Sequence, residues 1–175
     1  MHGIQHFYLA ALITAIVNIC LILFVLKNAP PGPLRNRFGW YGSSIVLWSF
    51  FLWLFSCVKN EKASYFFCQI LHIGAIFIPC FFLHFVLTYL NKTKIREKAP
   101  LYLAYGTSIF FLVLDVAVPN YFISEVIPKL GFPYFMNPGP LYHYWVAVFF
   151  VIVIYTHFLL LKGILGTSSQ LRRQR

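Results

Sequence analysis

Five stretches of this chain are long enough and apolar enough to cross a lipid bilayer, and they leave few other ways to fold. They cover about residues 7–26, 39–58, 66–90, 101–119 and 141–161, and Asp115 is the single charged residue inside them. As helix, each spans the roughly 30 Å of a hydrocarbon core. Helix is required because lipid offers no partner for backbone N–H and C=O groups. No stretch alternates with the period of a membrane β-strand. The expected fold class is therefore all-α: a polytopic transmembrane bundle of about five helices in one domain, residues 1–175.

Composition agrees. The chain is 60% hydrophobic and 20% aromatic, with only 10% charged residues, where a soluble domain has about 25% charged. Its mean hydropathy is +0.75. The net charge of +10 could suggest a nucleic-acid partner, but the cations lie in short loops between apolar runs. That distribution sets topology and excludes nucleic acid as the expected partner.

The cations also predict orientation. Lys27, Arg35 and Arg37 follow the first span. Lys92, Lys94, Arg96 and Lys98 follow the third, and Lys162, Arg172, Arg173 and Arg175 follow the fifth. These eleven share one side, against only Lys59, Lys62 and Lys129 on the other. The positive-inside rule places the eleven in the cytoplasm, with the amino terminus outside and the carboxyl terminus inside. The first span has no basic residue before it, as suits an uncleaved anchor rather than a secretory signal.

The loops carry their own punctuation. Pro30, Pro31, Gly32 and Pro33 stiffen the first. The fourth, about residues 120–140, is the longest and is rich in proline and aromatic residues. It reads as a lid on the outer surface with a short helix near Ile123–Ile127, serving as an interfacial anchor or a ligand-recognising loop. Pro79, in the middle of the third span, removes one helical hydrogen bond and is a candidate hinge. No internal repeat and no Gly-x-x-x-Gly pairing motif is visible.

Few residues can carry chemistry. An acidic group in a span usually faces the bundle or water, so Asp115, about one turn from the outer end, is a candidate for an outer polar pocket with His143 and His72. His72 and His84 lie 12 residues apart, about 120° out of register and roughly 18 Å along the axis, so they cannot share a metal. Pairing of His72 with His143, or His84 with His157, across helices remains open beside the simpler role of bridging helices. Cys57 and Cys68 flank the second loop at the outer face, where a disulfide is permitted. Cys20 and Cys80 read as small apolar core groups. The chain has no Gly-x-Gly-x-x-Gly, no phosphate-binding loop and no His-Glu-x-x-His motif. No enzyme activity and no cofactor is expected.

Several features together resemble the amino-terminal seven-helix membrane region of bacterial histidine kinases. The chain has a Pro- and Arg-containing first loop and an aromatic second span with Trp48 and Trp53. Phe81-Phe-Leu-His-Phe-Val-Leu-Thr-Tyr-Leu90 closes the third span. Pro138-Gly-Pro-Leu-Tyr-His-Tyr144 opens the fifth, and Ser169-Gln-Leu-Arg-Arg-Gln-Arg175 follows it. The resemblance implies a sensory input module of a two-component system in the inner (plasma) membrane. It implies as partners the lipid bilayer and a cytoplasmic signalling output domain or protein, with a homodimer left open. Two further helices and the output domain are expected beyond Arg175. The competing readings are a small transporter or channel subunit, and a membrane protein binding haem or metal through histidine.

Overall fold

The computed structural model describes residues 2–92, 94–118 and 120–173. Pro119, expected to end the fourth span, and Arg175 lie outside them, as do the side chains of Arg96, Arg172 and Arg173.

Five long helices carry the chain: α1 (His2–Asn28), α2 (Pro33–Cys57), α3 (Glu61–Tyr89), α4 (Ile95–Ala117) and α5 (Tyr142–Arg173). All five are long and apolar enough to cross a membrane. The polar residues at their ends explain why they outrun the apolar stretches. Pro33 opens α2 with the φ a first helical turn needs. Asn60 caps α3, its side-chain oxygen accepting from Ala63 N at 3.0 Å, and Glu61 lies in the first turn. At α4, the Lys94 N–H donates to Glu97 Oε2 at 3.3 Å. The guanidinium of Arg35 reaches back to the carbonyls of Leu26 and Ala29, at 3.3 and 3.4 Å, and so caps the end of α1.

α3 is the central helix. It packs against α2, α4 and α5, and α1 packs outside α2. Much of the rest faces outward: Leu9, Ile16, Leu23 and Phe24 of α1 and Val151, Ile154 and Phe158 of α5 are all exposed. Such a surface belongs in lipid rather than water.

Helix association in lipid depends on close packing of small residues. At Gly74 of α3, a Cβ would lie 2.6 Å from the backbone N of Trp48 and 2.8 Å from the carbonyl oxygen of Ser44. The backbones of α2 and α3 meet there. Spacing motifs did not flag it because the glycine faces serine and a bare backbone rather than a second glycine.

The segment between α4 and α5 corrects the sequence reading. The short helix expected near Ile123–Ile127 is absent, and the fold is mostly rather than wholly helical. Strand β1 (Ile123–Lys129) pairs antiparallel with β2 (Phe132–Pro138). Pro128 and Pro133 deter a helix, and Ile123, Val126 and Ile127 favour extended backbone. The connection is a two-residue turn at Leu130 and Gly131, with φ of 56° and 83°. Positive φ at both positions marks the hairpin turn whose twist suits paired strands. Glycine adopts it freely, whereas leucine does so at a cost of about 1 kcal/mol. Leu130 is also 71% exposed, so little packing compensates. Leu130→Asn is therefore expected to stabilise the hairpin by about 1 kcal/mol, read as slower amide hydrogen exchange across β1 and β2. Unchanged or faster exchange would contradict the strain.

The hairpin closes one end of the bundle. Phe132 meets Phe7 and Tyr8 of α1, and Phe135 meets Phe55 of α2. The Tyr65 hydroxyl of α3 reaches the carbonyl of Ile123 at 3.5 Å.

Candidate functional site

Under the hairpin, α3, α4 and α5 each present one face to a shared cluster. On α3 the face is Tyr65, Cys68, Gln69 and His72, spaced by three or four residues. On α4 it is Ser108, Phe111 and Asp115, and on α5 it is Tyr142, Trp145 and Phe149.

Phe122, which enters from just before β1, is the centre and is fully buried. Its ring lies 5.4 Å from His72, 6.1 Å from Phe111, 5.4 Å from Tyr142 and 5.5 Å from Trp145. The His72 ring also meets Tyr142 and Trp145 edge-on, at 5.7 and 5.9 Å. One phenylalanine thus joins the hairpin to three helices, and edge-to-face pairs of this kind add about 0.5–1.5 kcal/mol beyond area burial.

Two polar groups lie inside this apolar surround. His72 is 3% exposed. Its Nδ1 lies 2.7 Å from the carbonyl oxygen of Cys68. A carbonyl only accepts, so Nδ1–H donates. Asp115 is 2% exposed. Its backbone carbonyl accepts from Gln69 Nε2 at 2.8 Å, which joins α4 to α3. Neither carboxyl oxygen has a hydrogen-bond partner among the described residues. Burying a polar group without partners is costly, and such an exception to the pairing rule is a functional candidate.

The three residues expected to line an outer pocket divide. The structure buries Asp115 and His72 in the cluster and leaves His143 exposed at the start of α5. His143 faces away from the half-buried Tyr142 and the buried Trp145 on the same helical turn. Cys57 and Cys68 are free thiols rather than a disulfide: Cys57 is exposed at the end of α2, and Cys68 is buried two turns into α3. Cys68 Sγ sits 3.7 Å from His72 Nδ1. Pro79 is buried within α3. One turn before it, Ser108 of α4 donates to the carbonyl of Ile76 at 3.2 Å, so the proline segment is braced from α4. His84 and His157 have separate partners. His84 Nδ1 lies 2.7 Å from the Tyr105 hydroxyl of α4, and His157 packs on Phe82 at 5.1 Å. Among the described residues, no group of three or more His, Cys, Asp or Glu could hold a metal ion.

Phe122 lies in the aromatic loop expected at the membrane surface, and Tyr142 and Trp145, at the start of the fifth span, are members that sequence reasoning did not single out. Their signal was the Tyr142, Trp145, Phe149 spacing on one face of the fifth span.

Comparison with curated proteins and with solved structures gives no match. The family model described as the N-terminal 7TM region of histidine kinase matches residues 10–175, nearly the whole length, including all of α2, α3, α4, the hairpin and α5. This multi-pass membrane chain, which contains no catalytic domain, therefore belongs to the family of N-terminal transmembrane regions of histidine kinases.

Proposed function

We propose that this chain is the sensory input region of its histidine kinase, receiving a stimulus at the hairpin end and passing it through α5 to a cytoplasmic output domain. The observation that carries this reading is the Phe122 cluster. It couples the hairpin to α3, α4 and α5 through one buried ring. A ligand or lipid that binds one arrangement of the hairpin better than another biases the packing of α5. The orientation in this proposal, amino terminus outside and carboxyl terminus in the cytoplasm, rests on the excess of cations in the first and third loops and the tail. Asp115 and His72 form the polar element of the receiving site.

The test is ATP-dependent autophosphorylation, in membrane vesicles, of the polypeptide encoded by the reading frame continued through Arg175. Phe122→Ala is expected to shift basal output at least fivefold. Phe110→Ala, at an exposed ring of α4, is expected to leave it within twofold. Trp145→Phe, a milder change to the same cluster, is expected to fall between them. Equal output from Phe122→Ala, Trp145→Phe and the parent would sink the coupling role. A frame that encodes no signalling domain would sink the sensory reading itself.

A further inference from the structure

The opposite end of the bundle holds a cleft of different character. It lies between α2 and α4, with α3 as its floor, and has a volume of about 410 Å³. Its polar lining includes Arg37 from α2, His84 and Thr88 from α3, Lys92 just after α3, and Lys98 and Tyr105 from α4. Among the described residues, no Asp or Glu lines it.

The cations are not equivalent. Lys92 Nζ is paired with Glu97 Oε1 at 2.8 Å, so its charge is largely offset. Arg37 and Lys98 both lie within electrostatic reach of His84, and among the described residues neither forms an ion pair. Nε of Arg37 is buried and has no hydrogen-bond partner among the described residues. Like-charged groups gathered around one concavity repel each other, and an anion relieves that repulsion. A guanidinium fork with an ammonium beside it suits the oxygens of a phosphoryl group.

A second cavity, of about 230 Å³, shares Arg37, His84 and Tyr105 with the first and adds Trp40 and Phe81. The Phe81 ring stacks on Phe77 at 5.3 Å, so apolar surface leads away from the basic mouth along α3. Trp40 is 57% exposed and Tyr102 is 61% exposed, as aromatic residues at a headgroup boundary are. A charged head with an apolar tail matches this sequence of surfaces, and basic pockets between membrane helices hold acidic headgroups.

We propose that the cleft between α2 and α4 binds a phosphoryl group through Arg37 and Lys98, with the Thr88 and Tyr105 hydroxyls beside it. The phosphoryl group is carried by an anionic phospholipid or is free in solution. The apolar continuation past Trp40 and Phe81 favours the lipid.

The experiment is native mass spectrometry of the full chain, delipidated in neutral detergent and titrated separately with short-chain phosphatidylglycerol, short-chain phosphatidylcholine and inorganic phosphate. Phosphatidylglycerol is expected to bind at least tenfold more tightly than phosphatidylcholine. Arg37→Gln with Lys98→Gln is expected to weaken that binding at least tenfold. Lys59→Gln with Lys62→Gln, in the loop after α2 and the first turn of α3 at the hairpin end, is expected to leave it within twofold. Phosphate binding as tight as phosphatidylglycerol, and lost in the same double variant, supports the site with a soluble occupant. Undiminished phosphatidylglycerol binding by the double variant would overturn the proposal. So would equal affinity for the two lipids with no phosphate binding, because Arg37 and Lys98 would then not select a net anionic headgroup. Where the double variant does not fold, Lys98→Gln alone is read, and unchanged binding again overturns the site.

Discussion

Asp115→Leu is expected to stabilise the purified protein in detergent by about 2 kcal/mol, and Asp115→Asn by less. Both carboxyl oxygens are buried without hydrogen-bond partners among the described residues, and Asp115 is 2% exposed, beside Tyr65, Cys68 and Gln69 of α3. Replacing such a group with an apolar one of similar volume removes a desolvation cost and gives up no hydrogen bond of the side chain. The Gln69 bond to the Asp115 backbone carbonyl survives either change. Thermal unfolding followed by circular dichroism reads the difference. A fall in the unfolding midpoint for both variants would mean that the carboxyl is stabilised in place, against the geometry. The same variants are expected to change kinase output at least fivefold in the continuous polypeptide, because proteins retain a costly buried polar group where function uses it. Full output from Asp115→Asn would remove Asp115 from the proposed receiving site.

Gly74→Ala is expected to act in the opposite direction, destabilising the bundle by about 1–3 kcal/mol, with Gly74→Leu worse. The added Cβ meets backbone atoms of Trp48 and Ser44 at 2.6 and 2.8 Å. Backbone cannot rotate away as a flexible side chain can, so α2 and α3 must separate along their whole seam. Gly106→Ala is the control. Nothing lies within 4 Å of its added Cβ, and alanine is the better helix former by about 1 kcal/mol. The measurements are the thermal midpoint and the fraction of monodisperse protein on size exclusion. Equal midpoints for the two alanine variants would show that α2 and α3 do not touch at Gly74.

The five helices were legible because lipid imposes a single requirement over twenty consecutive positions, and a gap in charged residues records it directly. Their ends were less legible. Glu61 and Glu97 belong to helices, and Asn60 caps one, although none is apolar, because capping and dipole interactions extend a helix into the headgroup zone. The hairpin was missed for a different reason. Ile123–Ile127 read alone is a short mixed segment, Ile-Ser-Glu-Val-Ile, and what makes it a strand is its partner Phe132–Pro138 together with the Leu130–Gly131 turn. Depth along the chain pointed to Asp115 and His72 as inward-facing groups. It could not separate His143 from them, since Tyr142, His143 and Trp145 occupy one turn and only packing decides which of them turns inward. The basic cleft combines loop cations read as topology signals with a histidine, His84, read as a bridge between helices. Its residues come from three helices, and no linear spacing connects them.

α5 has 32 residues, about 48 Å of helix. Most of its ring contacts with other elements lie near its first turn, at Tyr142 and Trp145, with His157 on Phe82 further along. Geometrically it is a lever whose fulcrum sits close to one end. A tilt of about 5° around Trp145 moves the side chains near the fulcrum by a fraction of an ångström and carries the far end about 4 Å. Travel gained by a long arm is matched by a loss of force at its tip. Whatever engages that tip must therefore respond to a weak push over a comparatively large distance. It must itself be nearly balanced between two arrangements, separated by no more than a few kcal/mol.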